Sequence, residues 1–356
     1  MPLFQEMLKS GESLFRDTLW LSYDFQPKIL YGREAEQRQF AVAIKPLLEG
    51  RNGRNLFVHG APGIGKTTAC KQVLRELEET SDEVIPLYVN CWKENTTFKI
   101  FYKICQDLGH KFIQSNQKSS DLLVLIQQKV NKKSAVFVFD EIDKLEEYDF
   151  LYAFLEDIYR KSILVITNYR DSYAELDERV RSRFSPEFLF FRPYNEAEIA
   201  AILKQRRDYA FVAGCWEEEA FKEIVEKCLE SKDIRVGLYL MQEAGNLAEE
   251  KSSRKITAAP VAEAIRKVDD FRIKPREGLD SELQTILSLV RDHTGKKIGD
   301  LHALYAETGG GMSYKSFQRR IMKLEEGRFI STDKISTREG NTSIVHYSME
   351  KKLTEF

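Results

Sequence analysis

Leu56-Phe57-Val58-His59-Gly60-Ala61-Pro62-Gly63-Ile64-Gly65-Lys66-Thr67-Thr68-Ala69-Cys70 is the stretch that decides the fold. A short apolar run leads into G-x-x-x-x-G-K-[ST], matched at every fixed position, and helix-forming residues follow. The three glycines let successive N–H groups curl toward one point, an anion nest at a helix N-terminus. Gly60, Ala61, Pro62, Gly63, Ile64, Gly65, Lys66, Thr67 and Thr68 are therefore expected to wrap the phosphates of ATP or ADP. Lys66 would reach the β- and γ-phosphates, and the Thr67 hydroxyl would hold Mg²⁺. A glycine turn before an ordinary helix is the plainer alternative. The strand and helix flanking the loop make it the weaker one.

Outward from the loop, four more strands are predicted: Val84 to Val89, Ala135 to Phe139, Ile163 to Thr167 and Phe188 to Phe191. Pro86 fits best at an edge or a bulge, because it has no N–H to give to a ladder. The unbroken apolar run 135–139 reads as a strand buried on both faces. Helical patterns separate these strands, including one from Arg33 that carries Phe40, Ile44, Leu47 and Leu48 on one face. The fold class is α/β, a doubly wound parallel sheet of five strands. After Pro193 four helices follow without a strand, near 196–210, 217–231, 235–252 and 257–271. Lys274-Pro275-Arg276-Glu277-Gly278 is the linker candidate. The tail then reads helix, helix, Gly309-Gly310-Gly311, helix and two short strands, the order of a winged helix-turn-helix. The predicted domains are a base with its lead-in at 1–194, an all-α lid at 195–276 and a winged helix at 277–356.

A phosphate loop needs an acidic partner for the metal. Asp140 and Glu141 end the buried strand, at the carboxyl edge where such sheets bind ligands. Asp140 is the expected Mg²⁺ carboxylate, and Glu141 the general base or water-positioning group for attack on the γ-phosphate. Asn168, one residue past the next strand, would orient the attacking water if its strand neighbours that of Asp140. Arg179, Arg181 and Arg183 share one short segment, and one of them is a candidate arginine finger. Arg235 opens a helix beyond Pro193 and could swing onto the γ-phosphate when the domains close.

Across 356 residues the net charge is −2, so any nucleic-acid surface must be local. One such surface is visible: from Ser313 to Arg338 seven basic residues face three acidic ones. Ser313, Tyr314, Lys315, Gln318, Arg319 and Lys323 fall on the helix expected to enter a major groove of double-stranded DNA, with Arg338 and Asn341 on the wing. Phe317, Ile321 and Leu324 would be its buried stripe. A winged helix that binds protein is the alternative. The five cysteines are scattered without a C-x-x-C pair, and the five histidines lack metal-ligand spacing, which excludes a disulfide framework and a zinc site. No apolar run approaches a membrane span and no signal peptide is legible, so a cytoplasmic protein associated with the nucleoid is expected, without a membrane partner.

These segments together resemble a known family. Leu14-Phe15-Arg16-Asp17, Tyr31-Gly32-Arg33-Glu34, Asp140-Glu141-Ile142-Asp143, Thr167-Asn168, Leu176 to Phe184, Pro193-Tyr194-Asn195-Glu196 and Asp233-Ile234-Arg235 stand in the order found in archaeal origin-recognition and cell-division-control replication initiators. Those proteins join an AAA+ ATPase to a winged helix. The resemblance implies that Asn168 is sensor one and Arg235 sensor two, with the box-VII arginine at Arg183 in preference to Arg179. It implies that Ile29, Leu30 and Arg33, with Tyr194, form part of the nucleotide pocket. An insert at about 92–118, ending near Lys118, would also touch DNA. The implied activity is slow, switch-like ATP hydrolysis by a replication initiator. Its implied partners are double-stranded origin DNA, the replicative minichromosome-maintenance helicase and further initiator copies. The alternative is a signalling ATPase of similar build whose winged helix binds protein. Lys232 departs from the family by replacing a usual glycine just before Asp233, and the wing, Arg338-Glu339-Gly340-Asn341, is less basic than is common.

Overall fold

The apolar runs assemble into one parallel sheet of β1 (Leu56–His59), β2 (Val84–Asn90), β3 (Ser134–Asp140), β4 (Lys161–Thr167) and β5 (Glu187–Phe190), in the spatial order β2-β3-β4-β1-β5. The computed structural model describes residues 13–27, 29–110, 117–145, 147–272, 281–308, 310–326, 330–337 and 340–347. The chain divides into two units, Met1–Asp269 and Asp270–Phe356.

Every residue of β3 is buried, as its unbroken apolar run predicts. Val136 and Val138 face one core, while Ala135, Phe137 and Phe139 face the other. On that second face Phe137 and Phe139 pack against Phe154 and Phe150 of the helix Asp149–Asp157, with ring centroids 4.6 and 4.8 Å apart. Pro86 lies on β2, an edge strand, where its missing N–H is tolerated. Because β4 sits between β1 and β3, three neighbouring strands end side by side. Val58 pairs with Ile166, and Asp140 pairs with the same Ile166. The loop after His59, the Asp140-Glu141 turn and Asn168 therefore leave from one edge.

Among the described residues four helices follow the sheet, α8 (Glu196–Ala210), α9 (Glu218–Ser231), α10 (Ile234–Glu250) and α11 (Ala258–Arg272), counted after seven in the sheet region. Leu203, Ile224, Leu240, Met241, Ala244, Val261 and Ala264 are buried among them. The lead-in packs here too. Arg16 and Asp17 donate backbone bonds to Ala210 O, Trp20 stacks on Tyr209 at 4.1 Å, and buried Arg206 donates to Trp20 O and Phe25 O. Two short helices, Ser172–Glu175 and Glu178–Phe184, precede β5; the sequence reading recognised neither.

Lys232 closes α9 in the left-handed region, φ +53° and ψ +24°. Glycine tolerates that conformation, whereas a β-carbon is pressed against the backbone. Lys232→Gly is expected to raise stability by about 1 kcal/mol, read as a higher denaturant midpoint at unchanged slope.

The C-terminal unit contains helices Ser281–Asp292, Ile298–Glu307 and Tyr314–Glu326 and an antiparallel sheet ordered β6-β8-β7, of Lys296–Lys297, Gly340–Tyr347 and Ile330–Thr337. This is the element order expected of a winged helix, with one short strand, Lys296–Lys297, that sequence patterning did not reveal. Phe317, Ile321 and Leu324 are all buried, as the helical stripe predicts. The linker candidate Lys274–Gly278, Arg328, Arg338, Glu339, Gly309 and residues 114–116 of the insert lie outside the described residues.

Candidate functional site

The phosphate loop turns into the helix Lys66–Thr80 without a capping side chain; Gly65 is its N-cap at φ +87°. The first-turn amides of a helix have no intrahelical acceptor, so those of Lys66, Thr67 and Thr68 are available to an anion. Any β-carbon at Gly65 would stand 2.5 Å from the Tyr194 hydroxyl. At Gly63 (φ +73°) it would meet Asp233 Oδ1 at 1.9 Å. The loop is thus fixed from two sides by residues far along the chain.

Lys66 is almost fully buried and donates to Gly60 O at 2.7 Å, Ala61 O at 2.8 Å and Asn168 Oδ1 at 2.9 Å. Burial brings its pKa down to about 8, although nearby Asp140 and Asp143 oppose the fall. Thr67 Oγ1 donates to Asp140 Oδ2 at 2.6 Å. Two hard oxygens at that spacing suit Mg²⁺, which keeps water and phosphate for its remaining ligands. Among the described residues no cluster of three or more His, Cys, Asp or Glu could cage a metal by itself.

Glu141 adopts the left-handed conformation, φ +56° and ψ +44°, and its N–H donates to Asp140 Oδ1 at 2.9 Å. A non-glycine residue held there stores strain of the kind found at functional sites. Burial, then the neighbouring Asp140 and Asp143, raise the pKa of its carboxyl above the usual range, which makes it a better proton acceptor. Asp143, quoted in the sequence motif but given no role there, accepts from Thr167 Oγ1 at 2.9 Å and ties this turn to the strand end that carries Asn168.

From α10, Asp233 accepts from the Arg235 backbone at 2.9 Å and from its guanidinium at 2.7 Å, and Ile234 N donates to Gly63 O at 3.3 Å. Arg235 therefore already stands at the loop. Arg33, grouped with Ile29 and Leu30 in the sequence, is fully buried. Its guanidinium donates to Ile64 O at 3.0 Å, to Arg192 O at 2.6 Å and to Glu36 at 3.0 Å, and lies 3.8 Å from the Tyr194 ring centroid. It braces the loop from behind. Leu30 is buried, and only Ile29, 58% exposed, presents a surface. Arg179 and Arg183 are exposed; the first pairs with Asp177 and the second with Glu156.

Comparison with known proteins places this geometry. The model of an AAA domain matches residues 50–171, and that of the Cdc6 AAA+ ATPase-type lid domain matches residues 200–266. ORC1-type DNA replication protein 2 of Methanothermobacter thermautotrophicus is 31% identical over 346 residues, which cover 92% of this chain and 90% of that protein. The chain belongs to the ORC1-type DNA replication proteins. The same organism's ORC1-type protein 1 is 27% identical over 100% of this chain and 98% of its own. Among solved structures, Aeropyrum pernix ORC1 in complex with DNA superposes with a TM-score of 0.70 at 24% identity, covering 94% of each chain. The ADP form of Aeropyrum pernix ORC2 gives 0.68 at 18% identity, again over 94% of each. These likenesses establish the AAA+ fold.

In this ORC1-type chain the helix Tyr314–Glu326 exposes Tyr314, Lys315, Arg319 and Lys323, with Gln318 half-buried. Ser313 begins it, its hydroxyl accepting from Ser316 N at 3.3 Å. Lys118 is exposed at the start of the helix Ser119–Val130. Asn341 lies on the hairpin strand Gly340–Tyr347. No helix among the described residues is long and apolar enough to cross a membrane.

Proposed function

We propose that this chain is an ATP-dependent replication initiator. The observation that carries the reading is the meeting of Lys66, Asn168, Thr67 and Asp140 within hydrogen-bond reach, with the Asp233–Arg235 turn docked on the same loop. Lys66 and the first amides of its helix bind the triphosphate; Thr67 and Asp140 hold Mg²⁺, which supplies charge neutralisation on the phosphates. Glu141 accepts the proton of the attacking water and Asn168 orients it. Arg235 leaves Asp233 for the γ-phosphate, so that ATP and ADP set different lid positions. Base, lid and winged helix divide near residues 194 and 276. Arg183, in preference to Arg179, acts on a neighbouring initiator copy, for which its exposure suits it. Hydrolysis is slow and serves as a timer.

The exposed face of Tyr314–Glu326 supports a role in a major groove of origin DNA, with Ser313 fixing the helix start and the wing at Arg338 and Asn341 on the backbone. Lys118 adds a phosphate contact. The bound initiator recruits the minichromosome-maintenance helicase. Filter binding across a salt series tests the DNA reading. A steep fall of affinity with salt, lessened by Arg319→Ala and Lys315→Ala by about one unit of slope each, is expected. A flat response would favour the protein-binding alternative, as would random-duplex selection that enriches no repeat.

A further inference from the structure

The Asp140 carboxylate has partners beyond the Thr67 hydroxyl that the phosphate loop supplies. β2 and β3 pair in register from Val84–Ser134 to Asn90–Asp140, so Tyr88, opposite Val138, shares a face with Asp140 and lies one pleat from it. That diagonal spacing is within reach of a long aromatic side chain. The Tyr88 hydroxyl donates to Asp140 Oδ2 at 2.7 Å, the same oxygen that takes the Thr67 hydroxyl at 2.6 Å. The Glu141 N–H occupies Oδ1. A carboxylate offers about four acceptor directions, and protein donors fill three of them.

Resting on the nucleotide reading above, we infer that Tyr88 is a positioning residue for Mg²⁺. By holding Oδ2 from the edge strand it fixes the plane of the Asp140 carboxylate, the group that with Thr67 would hold the hydrated ion. Without Tyr88, the Thr67 hydroxyl, itself expected to bind the metal, would be left as the side-chain donor to Oδ2 among the described residues. The phenol ring is fixed in turn: Lys71 Nζ lies 4.4 Å from its centroid. Partners of metal-binding carboxylates in this position tune affinity strongly. The other use of such a bond, to satisfy a buried carboxylate for folding alone, makes a different prediction.

The full chain and Tyr88→Phe are titrated with a fluorescent ATP analogue in EDTA, and then with MgCl₂ at fixed nucleotide. Mn²⁺, read by loss of its free EPR signal, repeats the metal titration without relying on the label. The phenylalanine keeps the ring beside Lys71. Expected are an EDTA affinity within about twofold of the parent and a metal midpoint raised about tenfold. Unchanged midpoints overturn the inference, as does an equal loss in EDTA and in Mg²⁺, or a lowered melting temperature with an unmoved midpoint. If the parent itself binds no nucleotide under either condition, the nucleotide reading fails first and the inference falls with it.

Discussion

In Lys66→Ala, binding of an ATP analogue falls by about two to three and a half orders of magnitude, while the protein remains folded. Lys66 sits almost without solvent, its ammonium shared among three oxygens, and burial has already brought its pKa down to about 8. A charge kept in so dry a place is costly unless an anion arrives to pair with it. Removing one partner of a buried pair costs about 3–5 kcal/mol, and each 1.4 kcal/mol is about tenfold in affinity. Alanine also leaves Asn168 without its donor. The check is thermal: saturating nucleotide raises the parent's melting temperature through binding to the native state. An equal shift in Lys66→Ala would remove Lys66 from the site.

Glu141→Gln has the opposite profile. Nucleotide binding stays near the parent value, and single-turnover phosphate release falls by about 10²–10⁴-fold. Glutamine keeps the size and hydrogen-bonding reach of glutamate but accepts no proton. The backbone argues for the same residue: a non-glycine at φ +56° is retained against strain, and its carboxyl pKa is raised by burial and by Asp140 and Asp143. The substitution leaves the Glu141 N–H on Asp140 in place, so the metal carboxylate keeps its orientation. Parent-like turnover would transfer the base role elsewhere.

The loop, Asp140, Glu141 and Asn168 were legible because each stands at the end of a strand whose pattern is local. Asn168 was conditional on two strands being neighbours, and the β3–β4 pairing meets that condition. Tyr88 was given no site role in the sequence, and Arg33 was placed in the nucleotide pocket, each for a physical reason. An aromatic in a strand looks like core until register sets it beside a carboxylate, and an arginine near a pocket looks like a ligand contact until packing encloses it. The helix Glu178–Phe184 was missed because seven residues carry too little periodicity to signal one.

By itself the sequence determined the strand–loop–helix, the five-stranded sheet, the four following helices and the stripe Phe317-Ile321-Leu324, since backbone needs and apolar periodicity act over neighbouring residues. Only the tertiary structure decided that Asp233 closes on Gly63, that Arg33 braces Ile64 from behind and that Tyr88 shares Asp140 with Thr67. Those contacts join segments distant in the chain, and they depend on strand register and helix packing that no local pattern encodes.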